Sequence, residues 1–161
     1  MEDIILYPIG IINTPYKSLK NIPIQGRFKD SVEGCCVLHN KYSDGLLHLD
    51  GFSHAILIYH FHKSTKEEIK SKPFLESVEH GIFAIRSPHR PNKIGFSVVK
   101  IKNIIKNKLF FSQVDIFDGT PLLDIKPFIK HFDNRENVKS GWVDKHFANG
   151  NIPDETILNK Q

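Results

Sequence analysis

Residues 94–117 read as a β-hairpin, and no other stretch limits the fold so tightly. Over residues 94–105 the side chains alternate, with Lys100 and Lys102 on one face and Val99, Ile101 and Asn103 on the other. A period of two belongs to an extended strand with two different faces. Asn107-Lys108 supplies a turn, and residues 109–117 return as an antiparallel partner. A chain built on such a unit favours an antiparallel sheet that closes or stacks over a βαβ sheet.

The rest of the chain repeats the pattern. Residues 4–14 predict a first strand with an irregularity at Pro8-Ile9-Gly10, ended by Thr14-Pro15. Residues 31–39 predict a second. Residues 54–62 are the most apolar: His54, Ile56, Ile58, His60 and His62 fall on one face, Ala55, Leu57, Tyr59 and Phe61 on the other. With both faces largely apolar, this strand is expected to be central and covered on both sides. Asp118-Gly119 turns again, Pro121 pushes Thr120 into an extended conformation, and residues 122–125 give a short strand. Residues 42–49 suit a helical turn, residues 65–69 a short helix or loop, and residues 71–80 show no pattern. The expected fold is mainly all-β, a small antiparallel β-barrel with short helical and loop insertions. It occupies residues 1–140, and residues 141–161 form a C-terminal tail with Gly141-Trp142 as its last anchor and 149–161 loose.

Composition narrows the setting. At 161 residues, with 40% hydrophobic and 25% charged, the chain suits one globular domain with a real core. No apolar run approaches the roughly 20 residues that a membrane helix needs. The N-terminal MEDIILYPIG is acidic where a signal peptide is basic. Cys35 and Cys36 are adjacent, which suits neither an ordinary disulfide nor a CxxC pair. These features point to the cytoplasm. A net charge of +4 permits a nucleic-acid partner without demanding one.

The chemistry concentrates in residues 81–97, GIFAIRSPHRPNKIGFS. The apolar run Ile82-Phe83-Ala84-Ile85 is expected to be a buried strand. After it, Arg86, His89 and Arg90 cluster around Pro88 and Pro91, whose fixed φ makes the loop stiff and non-helical. Guanidinium groups in a stiff loop suit carboxylates and phosphates. Two more loops share this character, Pro23-Ile24-Gln25 and Asp118-Gly119-Thr120-Pro121, and closing a barrel would gather such loops into a pocket. Taken alone, Asp118-Gly119 is better read as a plain turn, and residues 16–30 equally well as a surface crossover.

The motif GIFAIRSPHRPNKIG resembles the signature of the TsaA-like (TrmO) family, whose pattern is close to GVFATRSPxRPNPIG. GFSHAILIYHFHK at residues 51–63 and DGTPLLDIKPFI at residues 118–129 match in the same order. The resemblance implies an S-adenosylmethionine-dependent methyltransferase on a β-barrel, methylating N6 of threonylcarbamoyladenosine at position 37 in the tRNA anticodon loop, as a homodimer. It implies cofactor contacts at Pro23, Ile24, Gln25, His62, Lys63, Arg86, Phe96, Asp118, Gly119, Thr120 and Pro121. Lys93 stands where the family usually has Pro, and Ile24 where it usually has Arg, so at Ile24 backbone contacts to the cofactor are expected to survive while a side-chain contact to cofactor or RNA is expected to be lost. Longer members carry a C-terminal extension. Arg90 and Lys93, beyond Pro88, are expected to face RNA, with Arg86 nearer the strand end facing cofactor. His89 is a candidate base, its intrinsic pKa being near neutrality, and at least as good a candidate for a phosphate contact.

The residues also support other readings. No GxGxxG follows a strand, so S-adenosylmethionine would bind by a non-Rossmann route. His60 and His62, with His54 on the same face, could serve a metal-dependent barrel enzyme, although no third and fourth ligand has suitable spacing. A non-catalytic RNA-binding barrel would use Arg86, Arg90, Lys93, Lys100 and Lys102 and would leave the 118–121 loop unexplained.

Overall fold

The computed structural model describes residues 2–148. Its strands are β1 (Gly10–Asn13), β2 (Glu33–Leu38), β3 (His54–His60), β4 (Lys70–Ser71), β5 (His80–Gly81), β6 (Ile94–Ile105), β7 (Lys108–Ser112) and β8 (Thr120–Pro127). Six of them close a barrel in the order β1-β2-β7-β6-β3-β8, and β4 pairs with β5 in a separate ribbon. Every neighbouring pair is antiparallel. The hairpin expected at residues 94–117 is β6–β7, but it turns one residue earlier, at Lys106-Asn107 with Lys106 at φ 55°, and its second strand ends at Ser112, with residues 113–117 outside the sheet.

Alternation decides what fills the barrel. Ile12, Leu57, Val99, Leu109, Phe111 and Leu122 are all 0% exposed and form its core. Each such side chain contributes about 1.5–3 kcal/mol by leaving water. The interior is therefore packed, and a ligand has to bind at a rim. Among the described residues, no helix is long and apolar enough to cross a membrane.

Three expectations need correction. Residues 82–85 are not a strand: Ile82–Ala84 form a 3-10 turn in which Ile82 and Ile85 point inward and Phe83 is 79% exposed. Spacing of three places those two isoleucines on one side of the turn, so the apolar run buries only its ends. The first strand is shorter than residues 4–14, since only Gly10–Asn13 pair and Ile4, Ile5, Leu6 and Tyr7 are exposed. The central strand is not enclosed equally on both faces. Ala55, Leu57 and Tyr59 are buried, while His54, Ile56, Ile58 and His60 on the outer face are only half-buried.

Candidate functional site

The strand register fixes where the loops meet. Asn13 at the end of β1 pairs with Cys35 near the start of β2, and Ser112 at the end of β7 pairs with Glu33. His60 at the end of β3 pairs with Ile94 at the start of β6, while Ile12 pairs with Thr120 at the start of β8. All six ends lie at one rim. The three connections leaving it are residues 14–32, 61–93 and 113–119, and these carry the three loops singled out in the sequence.

At this rim Gln25 Oε1 accepts a hydrogen bond from Arg86 Nη1 at 3.2 Å. The exposed guanidinium also lies 5.0 Å from the ring centroid of Phe96, which is 47% exposed. A cation over an aromatic face is attracted by the ring quadrupole, so Arg86 is held on two sides while open to solvent. The 23–25 loop is anchored from behind. Gly26 N donates to Asp115 Oδ2 at 3.0 Å, and an added Cβ on Gly26 would stand 1.9 Å from the Gln113 carbonyl oxygen. Only glycine permits so close a backbone approach.

Asp115 was not singled out by the sequence. Ser97 Oγ donates to its Oδ1 at 2.5 Å and lies 3.0 Å from the hydroxyl of buried Tyr59. Burial raises the Asp115 carboxyl above its ordinary range, opposed by Ser97, by the Gly26 and Asp115 backbone N–H groups and by the Arg86 charge. Burial also drives the Tyr59 hydroxyl up strongly, with Asp115 adding to the effect. Tyr16, another residue not singled out, has a buried hydroxyl without a hydrogen-bond partner among the described residues. Its pKa is raised by burial first and then by Asp115.

The β8 side of the rim gathers His62, Lys63 and Thr120. Thr120 Oγ1 donates to the Phe117 carbonyl at 2.8 Å and lies 3.4 Å from His62 Nδ1. The His62 ring meets Phe117 edge-on at 5.9 Å, with Lys63 Nζ 5.6 Å from the same aromatic ring. Burial lowers the His62 pKa, helped by Lys63 and His60, so the imidazole is neutral near pH 7. Gly119 has φ 73°, and its missing Cβ leaves open space. Pro121 is paired with Ile11 in the barrel wall. Asp118 accepts from Thr14 N at 2.9 Å and from Lys17 Nζ, and the Lys17 contact is the main cause of its lowered pKa. Asp118 and Lys17 line a shallow concavity of about 380 Å³, which Arg86, Gln25 and Phe96 do not line. A more apolar cavity of about 540 Å³ sits at the far rim, between the 39–53 connection and the end of β8.

The expected order of exposure along the basic loop is reversed. Arg86 is exposed, whereas Arg90 is half-buried and donates from Nη1 to the Ile85 carbonyl at 3.2 Å. Lys93 is half-buried at φ 51°, its carbonyl accepting from Phe61 N at 2.8 Å. His89 Nδ1 lies 2.8 Å from Ser64 Oγ, which also reaches the Lys66 carbonyl at 3.4 Å. His60 and His62 fall near each other, but His54 starts β3 at the far rim. Among the described residues no group of three or more His, Cys, Asp or Glu side chains is arranged to hold a metal.

Residues 11–134 match the model of the tRNA-methyltransferase O N-terminal domain. The chain belongs to the TrmO family. It is 47% identical over 139 residues to a probable S-adenosyl-L-methionine-binding protein of Pyrococcus abyssi, covering 86% of this chain and 76% of that protein. It is 30% identical over 157 residues to the human tRNA (adenine(37)-N6)-methyltransferase, covering 93% of this chain but 36% of that one. The crystal structure of TrmO from Pseudomonas aeruginosa superposes with a TM-score of 0.77 at 31% identity, over 87% of this chain and 62% of that one. This TrmO-family chain therefore spans about a third of the human relative and less than two thirds of the Pseudomonas one.

The rim fits the cofactor that the family implies. A carboxylate finds the solvent-facing guanidinium of Arg86, and flat apolar groups find Phe96 and Phe117. A polar group finds the open backbone at Gly119.

Proposed function

We propose that this chain is an S-adenosylmethionine-dependent tRNA methyltransferase that acts at the β1/β3/β6/β8 rim. The observation that carries this reading is Arg86, a solvent-facing cation fixed by Gln25 and Phe96 within the family's own motif. When bound, S-adenosylmethionine supplies an electrophilic methyl group. Methyl transfer needs little covalent help from a protein, so the residues here act by positioning and by excluding water. Arg86 binds a carboxylate, and Pro23, Ile24 and Gln25 offer backbone groups beside it. Neutral His62 and Thr120 close the β8 side, with Gly119 giving room and Asp118 orienting the loop through Thr14 and Lys17.

The acceptor is N6 of threonylcarbamoyladenosine at position 37 in a tRNA anticodon loop. Arg90 and Lys93 serve its phosphates. His89 receives the acceptor proton, its ring held by the Ser64 hydroxyl 2.8 Å from Nδ1. The enzyme is cytoplasmic and homodimeric. The outward Ile94 and Phe96, 40% and 47% exposed, suit a second subunit beside the site. The test incubates the protein with labelled S-adenosylmethionine and tRNA carrying the threonylcarbamoyl group. Label on N6 of that adenosine supports the reading. Binding of tRNA without uptake of S-adenosylmethionine supports the non-catalytic RNA-binding barrel instead.

A further inference from the structure

After β8 ends at the far rim, where Pro127 pairs with Ala55, the chain forms the short helix α1 (Lys130–Asp133) and then returns to the site rim. There the 3-10 segment Gly141–His146 docks, although composition assigns it to a tail and the family match ends at residue 134. Trp142 Nε1 donates to the Ala84 carbonyl at 2.9 Å, and its ring stacks on His80 at 5.0 Å. Phe147 stacks on Phe28 at 6.3 Å with an interplanar angle of 23°. Between these contacts Glu76, 5% exposed, receives Lys145 Nζ, His146 Nε2 at 3.2 Å and His80 Nε2 at 2.6 Å.

The two aromatic contacts fall on two different loops. Ala84 lies just before Arg86, and Phe28 just after the Gln25-Gly26 step. At their tips these loops touch through the Arg86–Gln25 hydrogen bond of 3.2 Å. One such bond between a solvent-facing side chain and a half-buried one holds two loops only weakly. A segment gripping both loop bases fixes their separation independently of that bond.

We propose that residues 141–147 are a strap that sets the spacing of the Gln25 and Arg86 loops, with Trp142 and Phe147 as positioning residues for the methyl donor. The proposal rests on the rim binding S-adenosylmethionine. It acts through loop spacing, so its mark is on cofactor affinity more than on turnover.

Trp142 is the chain's one tryptophan, so its fluorescence reports the strap directly. The experiment compares full-length wild type with Phe147→Ala, Phe147→Tyr and Trp142→Phe. It reads hydrogen exchange in residues 22–28 and 84–93, the dissociation constant for S-adenosylmethionine by calorimetry, and kcat and KM. Phe147→Ala is expected to raise exchange in both loops and weaken cofactor binding about 2- to 10-fold, the value of one aromatic pair. Its kcat changes less than its KM, and Phe147→Tyr restores both exchange and affinity. Trp142→Phe, which keeps a ring but loses the N–H donor, is expected to loosen residues 84–93. S-adenosylmethionine should also shift Trp142 fluorescence in the wild type. If exchange rises while cofactor affinity is unchanged, the segment is only structural and the proposal is overturned; unchanged exchange overturns it too. If wild type takes up no S-adenosylmethionine, the functional reading fails, and exchange alone then decides whether the strap holds the loops.

Discussion

Gly26→Ala probes the link between fold and site at its tightest point. The added Cβ would stand 1.9 Å from the Gln113 carbonyl oxygen and 2.4 Å from its carbonyl carbon. The obstacle is backbone at the end of a barrel strand, so the 23–26 loop has to move by about 1 Å or more to restore van der Waals contact. The Gly26 N–H bond to Asp115, 3.0 Å long, does not survive such a shift. Overpacking costs about 1–3 kcal/mol. Losing a hydrogen bond to a carboxylate adds about 1.5–3 kcal/mol. A total of about 2.5–6 kcal/mol lowers the melting temperature by roughly 5–24 °C in a chain of this size. Gly51→Ala is the control, since its Cβ would meet nothing within 4 Å. The assay is thermal unfolding of both variants together with S-adenosylmethionine calorimetry. Gly26→Ala should melt early and bind weakly, because Gln25 moves with the loop, while Gly51→Ala behaves as wild type. Equal melting of the two variants would refute the reasoning.

Lys145, then His80, pulls the Glu76 carboxyl down to about 2 from an ordinary 4.5. A depressed acid stabilises the fold above its unfolded pKa and loses that contribution as pH falls through the folded value. An acid titration of Trp142 fluorescence should therefore show a transition between pH 4.5 and 2 that Glu76→Gln lacks; identical curves would count against the Glu76 fastening. Arg90→Ala should weaken tRNA binding by about 1–3 kcal/mol and flatten its salt dependence. Because Arg90 also braces the Ile85 carbonyl, Lys93→Ala serves as the second variant, and loss of cofactor binding in both with RNA binding intact would reverse the assignment. Treatment with a chelator should leave S-adenosylmethionine binding unchanged; a stoichiometric metal whose removal abolishes activity would favour the metalloenzyme built on His60 and His62.

The barrel and its three rim loops were legible because turn residues and alternation are local signals. Asn107, Gly119, and the Pro88 and Pro91 pair mark where the chain must leave a strand, and the register then brings those exits to one rim. The run at Ile82–Ile85 was ambiguous, since four apolar residues serve a strand or a turn with two inward ends equally well. Asp115 was hidden by geometry. Gln113 takes φ 63° just after β7, so the alternation of that strand no longer tells which side chains face the interior. Arg90 was assigned outward by its place in the loop, but its long side chain folds back to Ile85. The contacts of Trp142 with Ala84 and of Phe147 with Phe28 join residues far apart in sequence, which leaves no periodic trace.

The most direct test of the central claim is calorimetry of S-adenosylmethionine against wild type and Arg86→Ala, with melting temperatures measured in parallel. Wild type should bind close to one molecule per chain. Arg86→Ala should bind about tenfold more weakly or worse, as expected for a lost charged contact, with its melting temperature nearly unchanged because Arg86 is solvent-facing. No binding by the wild type, or equal affinity in the variant, would contradict the account.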